Sequence, residues 1–349
     1  MSPERYGHGL VLGKFYPPHA GHHHLVREAA ARCARLTVLV CASSVESIPL
    51  ADRIAWMREI HPEPHVRIVG VVDDIPVDTT DPAVWDAHME VFRAAVPEPL
   101  DVVFSSEAYG EELGRRFGAQ AVCVDPDRIA HPVSATAVRK DPVGCWDFLA
   151  PPVRAALTRR VVVLGAESTG TTTMANALAA HYGTAWVPEY GREFSAAKLA
   201  ALGPGASWED VAFASEEFPL IAARQQADED AAARTAGPVL ICDTDAFATT
   251  IWHERYLGFA NPDVLAPKRQ HLWLLTDHED VPFEDDGLRD GEHLRPWMTD
   301  RFRSELACTG RPFITLTGPH EQRLATAVAA VDALLAADWG IADPLPERR

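Results

Sequence analysis

The sequence contains no uninterrupted apolar run of about 18 residues, the length that a membrane-spanning helix needs. Its first residues, Met1 to His8, lack the apolar core of a secretory signal. It has no C-x-x-C pair. The six cysteines, Cys33, Cys41, Cys123, Cys145, Cys242 and Cys308, stand apart, most of them inside apolar runs, so they read as buried free thiols of a reducing compartment. Positive charge is also scarce: the formal net charge is −18, which argues against a nucleic acid or an anionic membrane as partner, since both need a basic face. Phosphate ligands are not excluded, because a few local cations and backbone N–H groups suffice to hold them. The expectation is a cytoplasmic protein with no nucleic-acid and no membrane partner. Whether it forms a homo-oligomer is left open.

What is present is an alternation. At about 100–200 residues per domain, 349 residues predict two domains. Residues 9–15 read as a short buried strand, with a helix expected from about 22 to 35. Strand-like runs recur at 36–41, 66–72, 102–104 and 121–124, with helical patterns at 50–60, 82–96 and 108–117. After the Pro151-Pro152 pair the alternation restarts. Strands are expected at 161–164, 184–187, 238–242, 271–275 and 312–316, a long helix at 208–235, and a last helix to Ala337, with Asp343–Arg349 as a frayed tail. Strands separated by helices predict parallel sheets. The fold class is therefore α/β, two doubly wound parallel-sheet domains over residues 1–156 and 157–349.

The first strand runs into Gly13-Lys14-Phe15-Tyr16-Pro17-Pro18-His19-Ala20-Gly21-His22. In an open α/β sheet ligands bind beyond the carboxyl ends of strands, and a helix N-terminus there attracts anions. Two histidines at that place can donate hydrogen bonds to a transferring phosphate, a chemistry of positioning and charge stabilisation. His23 and His24 could extend them into a metal tract, but consecutive helix positions point in different directions. Farther on, Ser134-Ala135-Thr136-Ala137-Val138-Arg139 reads as an N-capped helix bearing a cation. Alone it is equally a capped surface helix.

The second domain opens with an apolar strand, Val161–Leu164, followed by Gly165-Ala166-Glu167-Ser168-Thr169-Gly170-Thr171-Thr172. This meets the pattern G-x-x-x-x-G-K-[ST] everywhere except at the lysine, where Thr171 stands. The loop amides can still cradle phosphates and Thr172 can still reach Mg2+. Val187-Pro188-Glu189-Tyr190-Gly191-Arg192 lies at the end of the next strand, and Val239–Cys242 ends in Asp243-Thr244-Asp245, as a Mg2+-binding strand end requires. Asp285-Asp286-Gly287-Leu288-Arg289 is charged and loop-like. Each segment alone could be a strand-end turn or a solvated cluster.

Together the H-x-G-H string and the Ser134–Arg139 segment resemble the nucleotidylyltransferase superfamily, with Val133 in place of that family's isoleucine. The whole chain resembles the bifunctional nicotinamide-mononucleotide adenylyltransferase / ribosylnicotinamide kinase family. Asp52-Arg53-Ile54-Ala55-Trp56, Phe104–Gly110, the second nucleotide-binding domain and Asp285–Arg289 extend the likeness. The resemblance implies a Rossmann-like nucleotidylyltransferase domain followed by a P-loop kinase-like domain. ATP would be co-substrate, Mg2+ the cofactor, and nicotinamide mononucleotide, nicotinamide riboside and NAD the other ligands. In that reading His19 and His22 contact the transferring phosphate, and Lys14 and Arg139 neutralise the departing pyrophosphate. Gly13, Phe15, Ser134 and Thr136 bind ATP, and Trp85 and Arg53 the acceptor; Trp85 is as readily a core tryptophan. In the second domain Gly165, Ser168, Gly170, Thr171, Thr172 and Arg289 bind ATP, and Thr172 and Asp243 hold the metal. Glu189 is the base, and Tyr190, Arg192 and Asp245 bind the substrate. The family's regulatory helix-turn-helix finds no counterpart here, so no repressor role is expected. Two rivals stay open: an acceptor such as a phosphopantetheine or polyol phosphate, and a P-loop domain that senses nucleotide without turnover.

Overall fold

The computed structural model describes residues 5–284, 289 and 291–348. The chain forms two compact units, Met1–Val153 with Asp338–Arg349, and Arg154–Ala337. The C-terminal segment, expected to fray at the end of the second domain, instead packs with the first.

In chain order the first unit runs β1 (Tyr6–Gly13), α1 (Ala20–Arg32), β2 (Cys33–Ala42), α2 (Leu50–Ile60), β3 (Val66–Val72), β4 (Val77–Asp78), α3 (Pro82–Ala95), β5 (Val102–Ser105), α4 (Tyr109–Phe117), β6 (Gln120–Cys123) and α5 (Ala135–Lys140). After α6 (Pro151–Leu157) the second unit runs β7 (Arg159–Gly165), α7 (Thr171–Tyr182), β8 (Trp186–Val187), α8 (Tyr190–Leu202), α9 (Glu217–Ala233), β9 (Val239–Asp243), α10 (Ala246–Leu257), β10 (Leu272–Thr276), α11 (Arg295–Cys308), β11 (Phe313–Leu316) and α12 (His320–Ala336). A final short strand, β12 (Glu347–Arg348), belongs to the first unit. The long helix expected over 208–235 is a short 3₁₀ turn at Trp208–Asp210 and then α9.

Both main sheets are five-stranded and parallel, in the orders β3-β2-β1-β5-β6 and β11-β10-β7-β9-β8. Helices cover both faces, which is why the strands read as continuous apolar runs rather than alternating ones. In β1, Val11 packs into the core on one face and Leu10 into the core on the other. In β7, Val162 and Leu164 divide from Val161 and Val163 in the same way. Neighbouring side chains on opposite faces leave the strand's carboxyl end as the place where backbone and polar groups emerge. Among the described residues no helix is long and apolar enough to cross a membrane.

Candidate functional sites

In the first unit the carboxyl end of β1 opens into a cavity of about 670 Å3. Gly13, Lys14, Phe15, His19, His22, Trp85, Ser134, Thr136 and Arg139 all line it. The loop after β1 is held in an unusual shape: Phe15 keeps a left-handed backbone (φ 47°), and its ring packs on His22 at 5.0 Å. Positive φ in a bulky residue is costly and persists where surrounding structure enforces it. His19 precedes α1 as its N-cap, and its ring stacks on His22 with centroids 3.8 Å apart. The His19 backbone N–H donates to His22 Nδ1 (3.3 Å). That bond assigns the neutral ring a proton on Nε2, leaving one donor to offer a ligand. Burial pushes the His19 imidazole down to about 3, and drives His22 well below its ordinary value, with the His19 charge adding to it.

Arg139 reaches across from α5. Its Nη1 donates to the Tyr16 carbonyl (2.9 Å), its Nη2 to Thr136 Oγ1 (3.2 Å), and its guanidinium lies over the Tyr16 ring. Ser134 caps α5 by accepting from Ala137 N (3.1 Å). Segments more than a hundred residues apart thus meet at one mouth. Trp85 lines the cavity but is largely buried, its Nε1 donating to the Thr79 carbonyl (3.2 Å) and the Arg116 guanidinium over its ring.

Arg53 is a correction. Expected at the acceptor, its side chain is fully buried in an ion pair with Glu46 (2.6 Å), donates to the carbonyls of Ile48 and Lys14, and lies over the Tyr16 ring at 4.3 Å. It fixes the Lys14 backbone and has no surface to offer a ligand. Asp73 and His88 were not singled out in the sequence. They pair at 2.6 Å and line the same cavity, brought there from β3's end and from α3. Nothing local marks them.

In the second unit a narrower cleft, about 120 Å3, lies over the loop between β7 and α7. Gly165, Ser168, Thr171, Thr172, Glu189, Arg192, Asp243 and Arg289 line it. A Cβ on Gly165 would collide with the hydroxyls of Thr276 and Thr169, so only glycine fits. Ser168 and Thr244 both hold left-handed backbone, at φ 57° and 73°. Thr172 Oγ1 donates to Asp243 Oδ2 at 2.5 Å. Arg289 Nη1 lies 3.5 Å from Ser168 Oγ and donates to the Glu284 carbonyl (2.7 Å). Asp285, Asp286, Gly287 and Leu288 of the same segment lie outside the described residues. Burial, then the Asp243 charge, raises the Glu189 carboxyl to about 7; burial also raises Asp243, against hydrogen bonds from Thr172 and Thr171.

The remaining expected residues sit elsewhere. Gly170 precedes α7 as its N-cap. Tyr190 borders a separate surface hollow with Arg192, and its backbone N–H donates to Gln225. Asp245, expected at the substrate, is buried: it caps α10 by accepting from Ala248 N (2.9 Å) and accepts from Trp273 Nε1 (3.0 Å), so its carboxylate is structural. The sequence did not reveal Glu167, whose buried carboxylate accepts from Gly291 N (2.7 Å) and pairs with Arg255 (3.1 Å). A Cβ at Gly291 would come within 2.7 Å of that carboxylate. Nor did it reveal the aromatic wall of the cleft, Trp208, Phe213, Trp252 and Tyr256.

Residues 160–323 match the family model described as "AAA domain". The chain is 27% identical over 301 residues to the trifunctional NAD biosynthesis/regulator protein NadR of Salmonella typhimurium, covering 80% of this chain and 71% of that protein. It is 27% identical over 305 residues to the protein of the same description from Escherichia coli, with the same coverage. Two crystal structures share the fold across 96% of this chain and 97% of their own: a NadR protein in complex with NR (TM-score 0.74, 21% identity) and one with NAD and AMP-PNP (TM-score 0.73, 21% identity).

Proposed function

The chain is a NadR homologue, and from that premise we propose that its two units catalyse two steps of NAD synthesis. The first unit joins nicotinamide mononucleotide to the AMP part of ATP. The second phosphorylates nicotinamide riboside at its 5′-hydroxyl. The observation that carries the reading is the single cavity onto which His19, His22, Lys14, Ser134, Thr136 and Arg139 converge.

In the first unit a phosphate oxygen of the mononucleotide attacks the α-phosphorus of ATP, the bond to the β-phosphate oxygen breaks, and pyrophosphate leaves. No proton needs to move. The chain's task is to align the two anions and spread the developing charge. His22, neutral with Nε2–H as its donor, and His19 beside it serve the α-phosphate. Lys14 and Arg139 serve the departing pyrophosphate, Gly13, Phe15, Ser134 and Thr136 the rest of the nucleotide, and Trp85 the acceptor's aromatic cation.

In the second unit the 5′-hydroxyl attacks the γ-phosphorus of ATP, its proton passes to Glu189, and ADP leaves. A carboxyl raised to about 7 is poised to accept that proton near neutral pH. Gly165, Ser168, Gly170 and Thr171 cradle the phosphates with backbone amides. Thr172 and Asp243 would hold Mg2+. Two adjacent hard oxygen donors fit that ion, which takes few protein ligands and completes its shell with phosphate and water. When bound it supplies charge neutralisation at the phosphates. Arg289 stands in for the lysine the loop lacks, Arg192 closes the phosphate side, and the aromatic wall receives the nucleoside base. Six free thiols suit a cytoplasmic setting.

Mass-spectrometric product analysis with nicotinamide riboside, nicotinamide mononucleotide and ATP–Mg2+ tests both halves. The expected products are NAD with pyrophosphate, and nicotinamide mononucleotide with ADP. A different phosphorylated acceptor being preferred would overturn the first assignment. ATP binding without riboside-dependent ADP, which the Thr171 substitution would favour, would make the second unit a sensor.

A further inference from the structure

The chain's last segment does not fray. Trp339 lies against Trp146 of the first unit, ring centroids 6.1 Å apart. Ala342 then makes two backbone bonds: its N–H donates to Ser47 Oγ (3.0 Å) and its carbonyl accepts from the Tyr16 hydroxyl (2.8 Å). Tyr16 is fully buried, and its own carbonyl is the acceptor for Arg139 Nη1. Beyond Ala342, residues 343–347 line the first cavity, and β12 pairs in parallel with β4, whose Val77 and Asp78 line it too. Glu347 Oε1 ends 3.4 Å from Lys14 Nζ.

We propose that residues 338–347 are a working wall of the adenylyltransferase site, positioning Tyr16, and through it Arg139, and closing the cavity beside β4. The proposal rests on the reading above for the reaction itself. The segment is a wall and not a plug: with it in place the cavity still measures about 670 Å3, well inside the range of small-molecule and cofactor sites, roughly 300–1,000 Å3. The Lys14–Glu347 pair is partly exposed and contributes little to holding the segment. The Trp339 contact and the two bonds of Ala342 hold it, and tethering makes its docking intramolecular. Since the segment follows α12, the first unit's site is finished only by chain that has already passed through the second. A fragment ending near residue 156 would lack this wall.

The test compares the full chain with one lacking residues 338–349, both activities being measured in each. The truncated enzyme should show KM for nicotinamide mononucleotide raised about tenfold, as for the loss of two or three positioning contacts, with kcat changed less and riboside phosphorylation unaltered. A synthetic peptide of residues 338–349 added at millimolar concentration should restore the KM. Trp339→Ala, which keeps the segment but removes its contact with Trp146 and leaves the Tyr16–Ser47 pair in place, should raise KM by a smaller factor, about threefold, and decides the matter if the truncated chain does not fold. Unchanged KM in these variants, or faster NAD formation after truncation, would overturn the proposal while leaving the reaction intact. No NAD from the intact chain would overturn the reaction and the proposal together.

Discussion

The imidazole of His19 stacks on that of His22 with centroids 3.8 Å apart and planes 29° from parallel, and the backbone N–H of His19 donates to His22 Nδ1. One residue thus sets the tautomer of the other as well as its tilt. Charge on either ring opposes charge on the other, and desolvation pushes both downward.

His22→Ala removes the donor proposed to serve the transferring phosphate while the His19 ring and the loop remain. Adenylyl transfer should lose about 10²-fold or more in kcat, the cost of one pre-organised donor. Steady-state kinetics alongside a melting curve checks this. A variant that melts earlier but turns over at the parent rate would mark His22 as a packing residue.

The P-loop lacks its lysine, and Arg289 Nη1 lies 3.5 Å from that loop's Ser168 hydroxyl. Arg289→Ala should lower riboside phosphorylation by about 10²-fold. Thr171→Lys should change the parent rate little, because a cation is already at hand, yet restore most of the loss when combined with Arg289→Ala. The four rates form a double-mutant cycle whose coupling term reads the substitution directly. Riboside-dependent ADP formation unaffected by Arg289→Ala would remove Arg289 from the site.

What could be read from the sequence was what is local. The H-x-G-H string and the P-loop are contiguous, and each lies between a strand and a helix whose periodicity is plain, so both parallel sheets and the place of these two loops in them were legible. Arg53 was assigned to the acceptor because the Asp52–Trp56 stretch resembles the family's, and nothing within that stretch shows which way its side chain turns. Its burial depends on Glu46 and the Ile48 carbonyl, which come from the preceding loop. Asp245 was misjudged for a simpler reason: it begins a helix, and a capping role was available without invoking substrate. The aromatic wall gathers Trp208 and Phe213 from the stretch between α8 and α9 and Trp252 and Tyr256 from one face of α10, and no single contiguous motif marks it. The C-terminal strand is held largely by backbone bonds, which leave no trace in side-chain pattern, and its prolines and charges imitate a loose end.

Arg53 and Glu46 form a fully buried ion pair. Arg53→Met leaves the Glu46 carboxylate buried without its cation, with only the Ser43 N–H still donating to its Oε2 and its Oε1 already lacking a partner. Unfolding of the first unit should become easier by about 3–5 kcal/mol, and Glu46→Gln added to Arg53→Met should recover part of it. Urea denaturation followed by the unit's tryptophans reads both. A ligand-contacting Arg53 would show the opposite pattern, with stability kept and KM raised.

The two units should respond to pH in opposite directions. In the first, burial lowers His19 and His23 to about 3 and His61 to about 4. The unfolded chain therefore binds more protons than the folded one from about pH 6.5 downward, and stability falls as pH drops through that window. In the second, burial raises Asp245 to about 6, Glu189 to about 7 and Glu229 to about 8. Here the folded chain binds more protons, so the contribution is complete below the ordinary carboxyl range and is lost as pH rises toward 8. His271, lowered to about 4, opposes this only in acid. Scanning calorimetry from pH 5 to 8 should resolve two transitions. The first unit's midpoint should climb with pH and the second's should decline, and nicotinamide riboside without ATP should raise only the second. His23→Leu, which removes a titrating group buried against His61, should flatten the first slope and leave the second unchanged. Two transitions moving in parallel would mean that these buried groups do not govern the pH response.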